Sequence, residues 1–466
     1  KIDFFVYFEC NITQFRCVMN SLTIQAYLQS QWQDIAMLTF TERAGQNEPD
    51  VQVQYKTDYA IEHLEQDDHH AVSLNHPVQL YFDDDDQPGW LRFLDDIIPS
   101  GAARRFWVDQ IEISNSPLSE QNLILLEKVA IAPVGHLRIK EAVENQNEAI
   151  KPPQFTVSDV VERNASFLEY AQQRGAIAGG ATGAGGEAPK LLLRCNNNDE
   201  VWIDTFQDGT NTQDAFYLVK FPRGQRKQID CDILRAEYHF YCELEEIGVS
   251  TIATEQMRLE EGDNFPSLWL PRFDVEVVNG VVTRKAMESV YSILKRAPGV
   301  RLRHADVIRE LVSKIENSYT VKEQGAYFNV EAFVTEWVRR DLLNIAFGNS
   351  DNHGRNTAFF RDGSGIKLTP IYDFAPMRAD PDGVPRSTVW GEPMESGGEY
   401  NFSAICEELS DLIKPEQLLD SLHKTAEQLI GLEGRLRKRG VPDSIMAMPK
   451  VGLANIPEKL KRWGLL

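Results

Sequence analysis

The stretch SDNHGRNTAFFRDGSGIKLTPIYDF, residues 350–374, sets carboxylates, an imidazole and carboxamides at fixed intervals around what reads as a β-hairpin. Asp351 and Asn356 stand five residues apart in DNHGRN, the separation between the general base and the metal-binding asparagine of the kinase loop HRDxxxxN. A strand-like TAFFR, a DGSG turn and a second strand IKLT follow, and Asp373 emerges just past them. Magnesium takes a few hard oxygen ligands and keeps several waters, so the carbonyl of Asn356, the carboxylate of Asp373 and nucleotide phosphates would suffice. Asp351 is then left to accept the proton of an attacking hydroxyl, a contribution of roughly a hundred- to ten-thousand-fold in rate. His353 is placed to orient that loop or to touch phosphate. Most Asp and Asn in loops serve turn chemistry and capping, and Asp362 in RDGSG is assigned to that role. For Asp351, Asn356 and Asp373 the spacing, the hairpin between them and the residues upstream argue otherwise.

Those upstream residues begin with VEAFVTEWVRRDLLNIAFG, whose apolar positions 333, 334, 337, 338, 342 and 345 fall on one helical face and which stops at Gly348, directly before the motif. AFYLVKFP (215–222) reads as a strand ending in Lys220, and ILRAEYHFYCELEEIGVS (233–250) as a helix carrying Glu237. A strand lysine oriented by a helix glutamate is the pair by which protein kinases hold nucleotide phosphates. A lysine snorkelling at a strand end is the plainer reading of Lys220 taken alone. Further upstream, a glycine-dense run between Gly175 and Gly186 leads through Pro189 into Lys190 and an apolar strand. Exposed backbone N–H groups with a nearby lysine make a phosphate cradle, although glycine-rich segments are commoner as linkers. The pattern is not GxxxxGK[ST], which disfavours a Walker-type fold.

The 466 residues, 42% hydrophobic and 10% aromatic, describe a globular chain with one large core or two to three smaller ones. No window offers the roughly 18 uninterrupted apolar residues of a membrane-spanning helix, and the expected compartment is the cytoplasm. Six cysteines with no CxxC pair and no zinc-like Cys/His spacing read as reduced thiols. Forty-eight basic against 70 acidic residues give a net charge of −22, which opposes non-specific binding to a phosphate backbone. The basic clusters at Arg104 and Arg105, Arg223 to Lys227 and Arg435 to Arg439 are taken as solvated faces. Residues 1–18, ahead of Met19, are expected to be an extension, and 146–160, polar and proline-containing, a linker. FLDDIIPSGAARRFWVDQI reads as two short helices broken at Pro99 and Gly101, and SLWLPRFDV (267–275) as a strand.

From about Met19 onward these residues resemble the HipA family of bacterial serine/threonine kinases, toxins of two-gene toxin–antitoxin modules. SDNHGRN looks like the family's catalytic loop, TPIYDF like its second metal motif, LVKFP like its lysine strand and LPRFD like its adenine-side hinge. FLDDIIPSGAARRFW and PVGHLRI resemble its amino-terminal subdomain. The resemblance implies an α+β, bilobal, protein-kinase-like fold: an N-terminal α/β subdomain over 19–145, a nucleotide-binding lobe with the Gly-rich loop over 161–275, and a mostly helical catalytic lobe over 276–466. It implies Asp351 as general base, with Asn356 and Asp373 holding magnesium. ATP would be held by Gly185, Gly186, Glu187, Ala188, Pro189, Lys190 and Lys220, by Pro271, Arg272 and Phe273 at the hinge, and by His353, Asn356, Tyr372 and Asp373, with Glu237 in support.

Two departures from the family pattern stand out. Gly183, beside Thr182, occupies the place where the family often carries an autophosphorylated serine, and Pro271 stands where some members carry an acidic residue. Proline has no N–H, so adenine contacts would fall to carbonyls or to the amides of Arg272 and Phe273. The implied activity is phosphorylation of a serine or threonine on a translation component such as an aminoacyl-tRNA synthetase, with growth arrest. The implied partner is a small helix-turn-helix antitoxin, through which any contact with DNA would be made. A small-molecule kinase and a catalytically silent co-repressor are the two alternatives.

Overall fold

The computed structural model describes residues 21–41, 48–80, 89–131, 133–144, 155–162, 189–203 and 212–466. The expected extension over 1–18 lies outside them. Four antiparallel strands, β1 (Ser21–Leu28), β2 (Gln31–Thr41), β3 (Asp50–Tyr55) and β4 (Leu137–Ile139), form a sheet in the order β3-β2-β1-β4. Alternation along β1 and β2 puts Ile24, Ala36 and Leu38 on the face that packs against Leu94 and Leu126. Leu94 belongs to the single-turn helix Arg92–Asp96, Leu126 to the helix Leu118–Val129. The break expected at Pro99 and Gly101 separates Arg92–Asp96 from a second helix, Gly101–Gln110.

A second, six-stranded antiparallel sheet runs β5-β7-β6-β8-β10-β9, built from β5 (Phe155–Thr156), β6 (Lys190–Cys195), β7 (Glu200–Ile203), β8 (Ala215–Lys220), β9 (Arg258–Glu261) and β10 (Pro266–Pro271). The end of the segment expected to be linker is part of this sheet: Phe155 pairs with Val201 and buries in the sheet's own core. Thr156 then starts the helix Val157–Val161, exchanging hydrogen bonds with Asp159 in a capping box. Residues 146–154 lie outside the described ones.

The remainder is largely helical. A hairpin of β11 (Val275–Val278) and β12 (Val281–Arg284) leads to β13 (Ala286–Ser289), which joins β15 (Ala358–Asp362) and β16 (Gly365–Leu368) in the order β13-β15-β16. A short parallel pairing joins β14 (Leu302–Arg303) to β17 (Thr388–Val389). The central helix, Val330–Phe347, is capped by the Asn329 side chain and ends on Gly348 in the left-handed region at φ 70°. All six apolar positions of its expected face are buried.

The helix Gln228–Glu246 sends Phe240 and Leu244 into the same large core as the central helix. It therefore ties the six-stranded sheet to the helical part. Cys195, Cys231, Cys242 and Cys406 are free thiols. Among the described residues no helix is long and apolar enough to cross a membrane.

Candidate active site

Strand register assembles the first part of the site. β6 and β8 pair so that Lys190 stands directly opposite Lys220, which puts both side chains on one face of the sheet. The Lys220 ammonium donates to Glu237 Oε1 at 2.6 Å and to the carboxylate of Asp373. The Lys190 ammonium lies 3.2 Å from the other oxygen of Asp373. All four side chains are largely removed from solvent, and two ammonium groups face two carboxylates, so the cluster carries no net charge. Burial works against the charge on Lys220, but the carboxylates of Asp373 and Glu237 outweigh it and hold the ammonium above its ordinary range. For Lys190 burial prevails and its pKa falls. Burial likewise opposes the Asp373 carboxylate, yet the two lysines overcome it and keep its pKa well below the usual value.

Asp373 sits in the left-handed region at φ 53°, which costs a non-glycine residue about 1–2 kcal/mol. The next N–H, of Phe374, is held by the Tyr241 hydroxyl at 3.1 Å, and that hydroxyl donates to Glu237 Oε1 at 2.9 Å. Tyr241 thus links the lysine's partner to the backbone that aims Asp373. It was missed at the level of sequence, although its i+4 spacing from Glu237 places the two on one helix face.

The second part is the loop that follows the central helix. The Asn349 side chain accepts the Asp351 N–H at 3.1 Å, and the Asn356 amide donates to the Asp351 carbonyl at 2.7 Å, closing the loop on itself. The Asn356 side-chain carbonyl oxygen is buried and has no hydrogen-bond partner among the described residues. An orphaned acceptor of this kind is costly to bury and is the donor type that magnesium requires. Asn356 therefore suits a magnesium ion, whereas the two oxygens of Asp373 are engaged by Lys190 and Lys220.

His353 turns inward: its Nδ1 accepts the Arg355 N–H at 3.2 Å, and its Nε2 lies 3.5 Å from Asp351 Oδ1. Asn352 binds the Thr388 carbonyl at 2.6 Å, fixing the loop against β17. Gly354 packs so closely on Tyr291 that a Cβ would lie 2.7 Å from the ring. Asp362 acts as a turn residue, accepting the Ser364 N–H at 2.7 Å.

Asp351, Asp373, Lys220 and Glu237 line one small cavity. Pro271, Phe273, Tyr372 and Leu218 line an adjoining, more apolar one, and Lys190, Lys220 and Asp373 are common to both. The Phe273 ring packs 5.5 Å from that of Tyr372, whose hydroxyl donates to the Arg355 carbonyl. The Arg272 amide corrects one expectation: it donates to the Phe216 carbonyl at 2.9 Å and extends the β8–β10 pairing, so it does not face a ligand. Its guanidinium is buried against Asp274 at 2.6 Å. Of the two hinge amides considered, only that of Phe273 stays in question.

Gly185, Gly186, Glu187 and Ala188, with Thr182 and Gly183, lie outside the described residues. Pro189 accepts the Phe221 N–H at 3.1 Å, anchoring the start of β6 beside the end of β8.

In two basic clusters assigned to solvated faces Arg226, Lys227, Arg437 and Lys438 are indeed exposed, while other arginines are paired internally. Arg223 lines the Asp351 cavity and bonds Asp380 at 2.9 Å. Arg435 and Arg439 clamp the buried Glu243 at 2.6 and 3.0 Å. No local pattern announces such pairs, because each partner is remote in sequence.

The family model of the HipA-like C-terminal domain matches residues 182–430. Among solved structures, a chain from the Shewanella oneidensis MR-1 toxin–antitoxin complex of HipA, HipB and operator DNA is similar at a TM-score of 0.63 and 15% identity, with 95% of this chain and 97% of that one covered. At that identity the likeness concerns the fold. A Helicobacter pylori proinflammatory kinase, CtkA, aligns at a TM-score of 0.36 and 12% identity over 60% of this chain and 91% of its own. No curated protein matches the sequence.

Proposed function

The chain belongs to the family of HipA-like C-terminal domains, and from that premise we propose that it is an ATP- and magnesium-dependent protein kinase of the HipA toxin type, acting on a serine or threonine hydroxyl. One observation carries the reading: Lys220, Glu237, Asp373 and Asp351, spread over more than a hundred residues of sequence, line a single cavity. In this reading the six-stranded sheet is the nucleotide-binding lobe and 276–466 the catalytic lobe.

Asp351, held in place by Asn349, Asn356 and His353, accepts the proton of the acceptor hydroxyl as that oxygen attacks the γ-phosphorus. Lys220, oriented by Glu237, turns its charge to the phosphates, and Lys190 stands beside it. Asn356 and Asp373 would hold magnesium, which when bound neutralises charge on the phosphate oxygens. The apolar side chains beside Phe273 and Tyr372 are the kind of wall against which a purine ring packs.

The Shewanella complex sets HipA with HipB on operator DNA. By analogy we infer a helix-turn-helix partner that makes the DNA contacts, a division that the net charge of −22 supports. Growth arrest through a translation component, such as an aminoacyl-tRNA synthetase, is the outcome proposed for the free kinase.

Inducible expression of the wild type beside Asp351→Ala, with phosphopeptide mapping of the host proteome, tests this directly. Arrest and new phosphoserine or phosphothreonine in the wild type alone are expected; equal growth and equal phosphorylation in both would sink the reading. Phosphate appearing on a sugar or lipid instead would transfer the activity to small-molecule substrates.

One feature favours a second reading, a silent co-repressor: both oxygens of Asp373 are engaged by lysines. Addition of ATP with magnesium separates the two, because a ligand that binds only the native state raises the melting temperature by mass action.

A further inference from the structure

Outside that site, one group of three metal-type donors converges among the described residues: Asp68, His69 and His70, whose ligand atoms all lie within 4.8 Å of one another. Asp68 is buried, at 3% exposure. Its Oδ1 lies 2.9 Å from His70 Nδ1, and its Oδ2 lies 3.2 Å from His69 Nδ1. Oδ1 also accepts the His70 N–H at 3.0 Å.

Among the described residues the two imidazoles are this carboxylate's only ion-pair partners, and a buried carboxylate must be paired, by an imidazolium or by a metal ion. His69 Nδ1 is itself buried, 3.2 Å from Oδ2. A tetrahedral ion with ligands at about 2.0–2.2 Å sets neighbouring donor atoms roughly 3.3–3.6 Å apart. The two Asp68–histidine separations, 2.9 and 3.2 Å, lie within a few tenths of an ångström of that spacing.

The surroundings hold the donors in place. The Arg361 guanidinium, on β15, donates to the carbonyls of Asp67, Asp68 and Ala71. His136 Nε2 lies 2.9 Å from the His69 carbonyl. The His63 ring stacks on that of His70 with centroids 4.1 Å apart. A methyl placed on Gly363, at the tip of the β15–β16 turn, would lie 3.8 Å from Asp68 Oδ2, so the carboxylate faces the hairpin that follows the Asp351 loop.

We propose that Asp68, His69 and His70 bind a divalent transition-metal ion, zinc foremost, which rigidifies the loop over 67–73 beside the β15–β16 hairpin. Two imidazoles with one carboxylate select zinc, cobalt or nickel over the oxygen-seeking magnesium and calcium. Water, or His63 after a rotation of its ring, completes the coordination. The site is separate from the one assigned to magnesium and does not depend on kinase activity.

The test uses the full chain, stripped with EDTA and titrated with Co²⁺ alone. The wild type is expected to saturate at one equivalent with visible d–d bands, and His69→Ala/His70→Ala to bind at least tenfold more weakly while keeping the wild-type far-ultraviolet circular dichroism. No saturable binding in the wild type, or unchanged binding in a folded double variant, overturns the proposal. Should the double variant not fold, zinc-edge X-ray absorption of the wild type decides. A nitrogen and oxygen shell with imidazole scattering upholds the site, and a sulfur shell or no imidazole overturns it.

Discussion

At the scale of single residues, Lys220 is the side chain on which most else depends, because it bonds Glu237 directly while sharing Asp373 with Lys190. Removing one member of a buried charge network leaves its partner uncompensated, at a cost of about 3–5 kcal/mol. Lys220→Met is expected to lower stability by that order in urea unfolding and to abolish the melting-temperature rise with ATP and magnesium. Adding Glu237→Gln should restore much of the stability and none of the nucleotide response. A double variant that regains the response would show that the lysine serves folding alone.

A second residue-scale prediction concerns pH. Burial raises the carboxyl pKa of Asp96 from 3.8 to about 7, partly offset by Arg355 and by the N–H of Ser289. Between these values the native chain holds a proton that the unfolded chain has released. Stability therefore falls as pH rises through that window, by about 4 kcal/mol over three units, and is flat above it. Asp373, held low, works in the opposite sense, losing its contribution as pH falls below the ordinary carboxylate range. Asp96→Asn is expected to be more stable than the wild type at pH 8, with the difference shrinking toward pH 5 in chemical denaturation. An unchanged difference across that range would refute the assignment.

At the scale of elements, the end of the central helix aims the loop that carries Asp351. Gly348 combines φ 70° with a position where a Cβ would lie 2.8 Å from Val451 Cγ1. Gly348→Ala should cost about 2–4 kcal/mol from the left-handed strain and the clash together, and weaken nucleotide binding as the loop shifts. Adding Val451→Ala should relieve the clash and leave the strain, so calorimetry should show partial recovery.

Much of this element was legible: the helix was visible in its apolar stripe, its stop in Gly348, and the hairpin in TAFFR and IKLT. The strand at Phe155–Thr156 was not, because the polar residues and two prolines just before it dominate the local composition while Phe155 is placed only by its pairing with Val201.

At the scale of the whole molecule, the N-terminal sheet and the helical part meet through buried polar groups. Arg361 pairs with Glu288 at 3.0 Å and holds three carbonyls of the loop at 67–71, while Asp67 accepts the Thr320 N–H at 3.0 Å. Arg361→Met strands Glu288 and frees that loop, so it should destabilise the chain by about 3–5 kcal/mol. Limited proteolysis is expected to cut first around residues 63–76; protection there equal to the wild type would show that the junction does not depend on Arg361.

The loop from Asp351 to Asn356 and the lysine and glutamate pair were readable from residue types and spacing, because each pattern is tied to local backbone geometry, and the family through the resemblance those motifs carry. Only the tertiary structure set Lys190 opposite Lys220, recruited Tyr241 and Arg223, withdrew the Arg272 amide and brought Arg361 against the loop of Asp68 and its two histidines. Those pairings are decided by strand register and by the need of buried charges for partners, which come from whichever part of the chain the core brings near.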